Sequence, residues 1–352
     1  MKNILLVGSH GLYGSYGGWD QLVNNFAKFK NNSYKLFIVS PKENNNSHTS
    51  SQIKTIHSSL SGFGFQGLLL DLISIIKYKK NIDCFLLLGA KGIISALLVK
   101  FFFNKRVIVN VGGVEWERPQ YSKIIKIFLK ICFILSVKYA DVCILDNKHY
   151  LTFVKEKNRN KKNIKIIPYG GTISHVLETS DKYNFLNKKY FLSISRSIED
   201  NKIYELCSLF KEKSNYNLVL ISNLSKTEYG REIFSKFSNY KNIILIDGLY
   251  DKDELDLIRR NCFAYIHTHT LCGSAPSLIE MIVSRRPIIS IDVPQNRFTL
   301  NNTGLYFKDF NQLKIIIEKD LISIKSCTNQ LIDSYKWESI IRSYEEQMNV
   351  KF

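Results

Sequence analysis

Short runs of apolar and β-branched residues recur along the chain, separated by segments of helical length. This alternation predicts β-α-β units, because strands of a parallel sheet are buried on both faces and a helix makes each crossover between them. The pattern runs through the first half and starts again after the polar stretch Thr179–Lys189. The predicted strands are Ile4–Gly8, Leu36–Ser40, Cys84–Gly89, Val107–Val111, Val142–Asp146, Ile164–Tyr169, Tyr190–Ser195, Leu218–Ser222, Ile243–Asp247, Phe263–His269 and Ile288–Asp292.

The repeated pattern predicts two doubly wound α/β domains, a Rossmann-like arrangement in each half. With 352 residues the chain is about twice the size of one ordinary domain. We expect domains at residues 1–172 and 173–335. A final helical segment, residues 336–352, is expected to pack back on the first domain.

Charge and cysteine content narrow the class of protein. The net charge of +18 suits a partner that carries phosphate, whether nucleic acid, an anionic bilayer or a phosphorylated substrate. The seven cysteines form no Cys-x-x-Cys pair, which favours reduced thiols in a cytoplasmic protein and disfavours structural zinc. No apolar run is long enough for a signal peptide or a membrane span, so we expect a soluble or peripheral protein.

In open α/β sheets ligands bind beyond the carboxyl ends of the strands. The glycine-rich stretch Gly8–Gly18 follows the first predicted strand and precedes a helix, where glycine lets backbone N–H groups approach a ligand. Its spacing is not that of a dinucleotide-binding fingerprint. A plain tight turn is the alternative.

A second loop, Gly112–Arg118, brings Glu115, Trp116, Glu117 and Arg118 together after the strand Val107–Val111. Carboxylates that accept hydroxyl hydrogen bonds and an aromatic face that packs on a ring are typical of sugar sites. A surface loop held by ion pairs is the alternative.

Two loops of the second half carry the strongest signals. Arg196 follows the strand Tyr190–Ser195 and can bind a diphosphate, unless it pairs with neighbouring acids on the surface. The segment His267–Glu280 joins a strand, a turn of small residues and a helix start at Ser274-Ala275-Pro276, where a cap and the positive end of the helix dipole favour a phosphate. His267 and His269 share a strand face but lack a third metal ligand at a suitable spacing, so we predict no metal site.

Taken together, Gly14–Gly18 with Asp20, Val109–Trp116, His267–Glu280 and Ser290–Tyr306 resemble the rhamnosyltransferase-like branch of the GT-B glycosyltransferases over nearly the whole chain. The resemblance implies two Rossmann-like domains that face a central cleft. It implies a metal-independent, retaining enzyme without a cofactor, whose substrate is a nucleotide sugar such as dTDP-rhamnose. The acceptor it implies is a lipid-linked oligosaccharide of O-antigen or capsule synthesis.

The resemblance also implies roles for individual residues. Arg196 would hold the donor diphosphate, and Glu280 would take the ribose hydroxyls. Cys272 stands where the family often has another acid, and Asn201 where it usually has lysine. The implied catalytic residues are Arg196, Glu280, His267 and Glu115; the donor-binding residues are Gly17, Gly18, Arg196, Asn201, Gly273, Ser274, Ser277, Leu278 and Glu280; and the acceptor-binding residues are Tyr16, Asp20, Glu115, Trp116 and Arg118.

A predicted helix, Tyr121–Ala140, carries Lys123, Lys126 and Lys130 on one stripe of an otherwise apolar surface. An interfacial helix shows this pattern, and so does a helix half buried in the first domain. With the resemblance, it leads us to expect a peripheral protein on the cytoplasmic face of a bacterial inner membrane.

Two other functions fit part of the pattern. A sugar-nucleotide epimerase or a phosphorylase can use the same fold, since fold alone does not determine chemistry. A basic nucleic-acid-binding protein would explain the charge, but no binding module or aromatic-basic stripe appears in the sequence, so we expect no nucleic-acid partner.

Overall fold

The structure is a computed structural model of the whole chain. It describes residues 1–14, 17–44, 46, 50–117, 121–159, 162–172, 182–212, 215–319 and 327–349. The chain divides into two compact units. Unit 1 comprises Met1–Tyr169 with Trp337–Phe352, and unit 2 comprises Gly170–Lys336.

Unit 1 is built on a parallel sheet of seven strands. The strands are β1 (Lys2–Val7), β2 (Tyr34–Ser40), β3 (Ile53–His57), β4 (Cys84–Leu88), β5 (Arg106–Asn110), β6 (Val142–Leu145) and β7 (Ile164–Ile166). The helices are α1 (Gly18–Phe29), α2 (Gly64–Tyr78), α3 (Ile93–Phe103), α4 (Lys123–Tyr139), α5 (Glu156–Arg159) and, from the end of the chain, α13 (Trp337–Gln347). The strand order is β3-β2-β1-β4-β5-β6-β7, which is doubly wound.

The sheet of unit 1 is covered on both faces, as its continuously apolar strands require. Leu5 and Val7 of β1 belong to the core cluster beneath α2, α3 and α4. Helix α13 packs on α1, where the rings of Phe26 and Tyr344 lie 5.2 Å apart. The Tyr344 hydroxyl also accepts a hydrogen bond from the buried amide of Asn110 on β5. The C-terminal helix is therefore part of the core of unit 1.

Unit 2 repeats this design with six parallel strands. They are β8 (Tyr190–Ile194), β9 (Asn217–Ser222), β10 (Ile243–Asp247), β11 (Ala264–His267), β12 (Ile288–Ile291) and β13 (Leu305–Phe307), in the order β10-β9-β8-β11-β12-β13. The helices are α6 (Ile203–Glu212), α7 (Glu228–Phe237), α8 (Lys252–Asn261), α9 (Pro276–Val283), α10 (Pro294–Thr299), α11 (Phe310–Glu318) and α12 (Asn329–Ser334). Its own apolar cluster lies between this sheet and the helices.

Local sequence signals predicted helix starts correctly but one N-cap residue incorrectly. The Asp251 side chain caps α8 by accepting from the backbone N–H of Glu254 at 2.9 Å. Helix α9 begins at Pro276 as expected, but its cap is Ala275, which has no side-chain acceptor, and not Ser274. The predicted strands leave out β3 and β13, which are edge strands of the two sheets.

Candidate functional site

The candidate donor site lies at the switch point of the unit 2 sheet. Strands β8 and β11 are neighbours, with Ala264 paired to Phe191, yet the chain leaves β8 toward β9 and leaves β11 toward β12. The loops that follow these two strands therefore diverge and leave a crevice at their carboxyl ends. Arg196 lies in the first loop, and the segment Thr268–Ala275 forms the second.

Hydrogen bonds fasten the two loops to each other. Thr268 Oγ1 donates to the carbonyl oxygen of Asn201, and Thr270 Oγ1 donates to that of Asp200 at 3.0 Å. The Asn201 side-chain amide donates to the carbonyl oxygen of Arg196 at 2.8 Å. The buried Asn201 thus positions the backbone of Arg196, whose own side chain is exposed to solvent.

Two residues that the sequence analysis did not single out hold the second loop from the other side. Asn296 is fully buried, and its amide donates to the carbonyl oxygens of His269 at 3.1 Å and Ile291 at 3.2 Å. Gln295 donates to the carbonyl oxygen of Thr270. Both follow β12, so their position after a strand end was the signal that would have found them.

Helix α9 points its N-terminus into this crevice. The N-cap residue Ala275 supplies no side-chain acceptor to the first-turn N–H groups, which lie at the positive end of the helix dipole. Gly273 and Ser274 precede the helix and are buried, and Ser277 is half-buried on its first turn. The side chain of Leu278 is fully buried, and its backbone N–H donates to the carbonyl oxygen of Ala275 at 3.0 Å.

Two buried histidines lie at the end of β11 and in the loop that follows it. The rings of His267 and His269 lie 4.3 Å apart, and the Tyr265 hydroxyl lies 3.3 Å from Nδ1 of His267. Burial lowers the pKa of His267 well below its usual 6.5, and His269 lowers it further. Burial, with a smaller contribution from the positive charge of Arg196, lowers the pKa of His269 to about 3. Both rings are therefore neutral hydrogen-bonding groups near pH 7.

Glu280 on α9 forms an ion pair with an arginine of α8. Its carboxylate accepts from the guanidinium of Arg259 on α8, which is 4% exposed and also donates to Asp256 at 2.8 Å. Burial raises the pKa of Glu280 and Arg259 partly opposes that shift, while the two acids together raise the pKa of Arg259. A ribose hydroxyl at Glu280 must therefore share the carboxylate with Arg259.

The loop after β1 gathers the predicted residues at the corresponding edge of unit 1. The buried Asp20 accepts from the backbone N–H of His10 at 2.8 Å and lies 3.4 Å from Nδ1 of the same residue. Gly8 has a φ of +94°, and a Cβ there would lie 2.1 Å from the carbonyl oxygen of Leu88. Gly17 is the N-cap of α1 and Gly18 its first residue. Tyr16 lies outside the described residues.

The loop after β5 supplies the other predicted acceptor groups. Glu115 is half-buried at the start of a 3₁₀ turn, Glu115–Glu117. Trp116 is only 7% exposed, and its ring lies 4.8 Å from Phe133 and 5.9 Å from Phe153. Trp116 is therefore mainly a core residue with one edge left for a ligand. Arg118 lies outside the described residues.

The described residues contain no group of three or more His, Cys, Asp or Glu side chains arranged to hold a metal ion. In the same residues, no helix combines the length and the apolar character needed to cross a membrane.

The histidine pair predicts a specific pH dependence of stability. The native ring of His269 stays neutral down to about pH 3, whereas in the unfolded chain it takes up a proton below about pH 6.5, so stability falls as the pH falls through that window. We expect His269→Gln to flatten the pH dependence of the unfolding free energy of unit 2 by up to about 1.4 kcal/mol per pH unit. Urea unfolding at pH 7, 6 and 5 measures this. The exposed His57, changed to Gln, is the control, and an unaltered slope in the His269 variant would contradict the assignment.

The ion pairs of Arg259 predict unequal effects of two changes at Glu280. Glu280→Ala removes one of the two carboxylates that compensate a buried guanidinium and should cost about 3 kcal/mol. Glu280→Gln keeps an acceptor for Arg259 and should cost about 1 kcal/mol. Equilibrium urea unfolding compares the two variants. Equal losses would show that Glu280 does not compensate Arg259.

Comparison with known protein families gives a match to about the first half of the chain. A family model described as "Domain of unknown function (DUF1972)" matches residues 1–172. No curated protein matches the chain.

Solved structures match the chain over nearly its whole length. Sucrose-phosphate synthase from Thermosynechococcus elongatus has a TM-score of 0.78 at 15% identity, covering 99% of this chain and 98% of that one. Anabaena Alr3699/HepE in complex with UDP-glucose has a TM-score of 0.73 at 11% identity, covering 99% of both chains. Trehalose-6-phosphate synthase from E. coli, bound with UDP-2-fluoro glucose, has a TM-score of 0.71 at 10% identity, covering 99% of this chain and all of that one. These neighbours are GT-B glycosyltransferases, and the two parallel-sheet units of the present chain have the GT-B fold.

Proposed function

We propose that this protein is a glycosyltransferase that takes a sugar from a nucleoside diphosphate. The observation that carries the proposal is the crevice of unit 2, where an exposed arginine, a helix N-terminus and two buried neutral histidines meet at the switch point of a parallel sheet. Two of the solved neighbours are complexes with UDP-glucose and UDP-2-fluoro glucose, which supports this substrate class.

The charges of the crevice match those of the departing group. When the bond between the anomeric carbon and the diphosphate breaks, its electron pair leaves with the diphosphate and negative charge grows there. Arg196 and backbone N–H groups between Gly273 and Ser277, apart from Pro276, which has none, would stabilise that charge. The acceptor hydroxyl oxygen forms the new bond to the anomeric carbon, and its proton passes to the departing diphosphate.

The uncharged rings of His267 and His269 would bind the sugar and not the diphosphate. In a water-poor crevice, neutral imidazoles donate or accept hydrogen bonds with sugar hydroxyls without adding a charge that must be compensated. Asn201 holds the Arg196 loop in place, and Glu280, shared with Arg259, would take the ribose hydroxyls. Glu115 and Asp20, with the exposed edge of Trp116, would contact the acceptor in unit 1, where Gly17 and Gly18 allow a close approach.

The finer assignment is part of the same proposal and is supported by the resemblance in sequence. The transferred sugar is a deoxyhexose such as rhamnose, carried by dTDP, and it is transferred with retention and without a metal ion. The acceptor is a lipid-linked oligosaccharide of bacterial O-antigen or capsule synthesis. Such an acceptor lies in the inner membrane, so the enzyme works as a peripheral protein on its cytoplasmic face.

Arg196→Ala tests the donor site. Removing the diphosphate contact should lower the rate of sugar transfer by a factor of about 10² to 10³ while leaving the fold intact. Product formation from a nucleotide sugar measures the rate. Arg285→Ala is the matched control, because Arg285 is also exposed in unit 2 but lies just beyond the C-terminus of α9. Full activity in the Arg196 variant would contradict the assignment.

Gly17→Ala tests whether a ligand approaches unit 1 at the start of α1. A Cβ at Gly17 meets no protein atom within 4 Å, and the extended backbone there accepts any residue. We expect the change to cost less than about 1 kcal/mol of stability but to raise KM for donor or acceptor. Thermal unfolding and steady-state kinetics measure the two effects. An unchanged KM would show that nothing binds against this residue.

A further inference from the structure

The outer surface of unit 1 is unusually apolar where α2, α3 and α4 cover the sheet. Phe65 on α2 is 72% exposed, Phe102 on α3 is 77% exposed and Ile124 on α4 is 81% exposed. Phe101 and Ile127 are more than half exposed on the same helices. We call this surface the three-helix face.

The three helices form one continuous surface. The ring of Phe101 on α3 lies 6.2 Å from Tyr139 at the end of α4. On the other side of α3, the Lys79 ammonium lies 4.8 Å from the ring centre of Phe103. With helix axes about 10 Å apart and lengths of about 15 to 25 Å, the face has the dimensions of a docking surface for a large partner.

Unit 2 offers no comparable surface among its described residues. Its exposed large apolar side chains are Phe234, Tyr250, Phe298 and Ile315. Each lies on a different element, and single exposed apolar residues are ordinary on protein surfaces. The apolar face is therefore a property of unit 1 and not of the composition as a whole.

The charge of the three-helix face has one sign. Exposed lysines lie along it, among them Lys77 on α2 and Lys130 and Lys138 on α4, whereas the half-buried Lys100 on α3 pairs with Asp141. The only acid within α2, α3 and α4 is Asp71, which is 3% exposed and lies 3.7 Å from Lys91. The face thus combines exposed phenylalanine and isoleucine with ammonium groups and exposes no carboxylate of its own helices.

A cavity at the start of α4 adds a specific site to this surface. Trp116, Lys123, Lys126, Ile127 and Lys130 line a cavity of about 320 Å³. Its lining is almost wholly apolar, so the lysines line it with their alkyl stems, while their positive charge attracts an anion to this part of the surface. Trp116 and Ile127 provide the apolar contact that the chain of an amphiphilic anion requires.

We propose that the three-helix face docks on an anionic lipid bilayer, with Lys123, Lys126 and Lys130 of α4 at lipid phosphate groups. Aromatic and aliphatic side chains enter the headgroup boundary while lysines reach its phosphates, so the helices lie along the surface. No described helix is fit to cross the bilayer, which agrees with binding from one side.

Docking in this way would bring the enzyme to a lipid-linked acceptor. The biological role of the docking surface therefore rests on the proposed function. Helix α4 begins just after the turn Glu115–Glu117, at the carboxyl edge of the unit 1 sheet where acceptor groups are expected. A lipid-linked acceptor would therefore meet the protein at the end of the face that carries the lysine cavity. The surface itself is argued from unit 1 alone.

The test uses the full chain in vesicle co-sedimentation. Vesicles of phosphatidylcholine mixed with phosphatidylglycerol should bind the protein, and vesicles of phosphatidylcholine alone should bind it much less. The triple change Lys123→Gln, Lys126→Gln and Lys130→Gln should weaken binding on the order of 10²-fold, and the wild-type affinity should fall with added salt. The double change Phe101→Ser and Phe102→Ser should weaken it as well.

Matched controls come from unit 2. Phe234→Ser with Ile315→Ser replaces two exposed apolar residues, and Lys211→Gln, Lys226→Gln and Lys319→Gln removes three exposed lysines. Both controls should bind vesicles like the wild type. Equal loss in the unit 2 controls, or no binding to anionic vesicles, would overturn the proposal.

Two further readouts separate this inference from the proposed function. Donor-induced thermal stabilisation without vesicles should be the same in all these variants, so its absence in the wild type would count against the transferase and not against docking. Sedimentation velocity tests a second copy as the occupant of the face. A wild-type dimer that Phe101→Ser with Phe102→Ser converts to monomer, without any vesicle binding, would contradict bilayer docking.

Discussion

The parallel pairing of β8 with β11 is the constraint on which the candidate donor site depends. It places the Arg196 loop beside the segment Thr268–Ala275, although about 70 residues of sequence separate them. The contacts between the two loops follow from that adjacency, including the hydrogen bond from Thr268 to Asn201. The dipole of α9 adds positive potential at this donor site, because a helix that follows β11 must begin at the same edge of the sheet.

Each buried polar group in unit 2 is stabilised by its partners or by remaining uncharged. A buried guanidinium is tolerated because Asp256 and Glu280 both accept from Arg259. Buried histidines are tolerated because they remain uncharged. This arrangement gives a rigid and largely neutral crevice in which the positive charge of Arg196 and the helix terminus are the dominant electrostatic features.

Local sequence signals predicted most of the framework because they act over a few residues. The strand alternation and the start of α9 at Pro276 were visible in this way. The edge strand β3 was missed because it alternates buried and exposed residues and follows a polar stretch. The cap at Ser274 was wrong because the backbone turns into the helix one residue later, at Ala275.

The features that could not be predicted arise from tertiary contacts. Nothing near Glu280 in sequence shows that Arg259 pairs with it, and nothing near His269 shows that Asn296 holds its carbonyl. The lysine stripe of α4 was visible, but its cavity also requires Trp116, and the three-helix face also requires α2 and α3. The sequence identified the carboxyl edge of each sheet as the candidate ligand-binding edge. Tertiary packing determines which side chains are held in place there.

The most direct test of the central claim is a thermal-shift titration of the whole protein with a panel of nucleoside diphosphates, nucleotide sugars and nucleic acids. A ligand that binds only the native state raises Tm by mass action. The account predicts a rise in Tm with one nucleotide sugar and its free nucleotide, smaller in Arg196→Ala and unchanged in Arg285→Ala. A panel in which only DNA or RNA raises Tm would contradict it and would assign the charge of +18 to nucleic-acid binding.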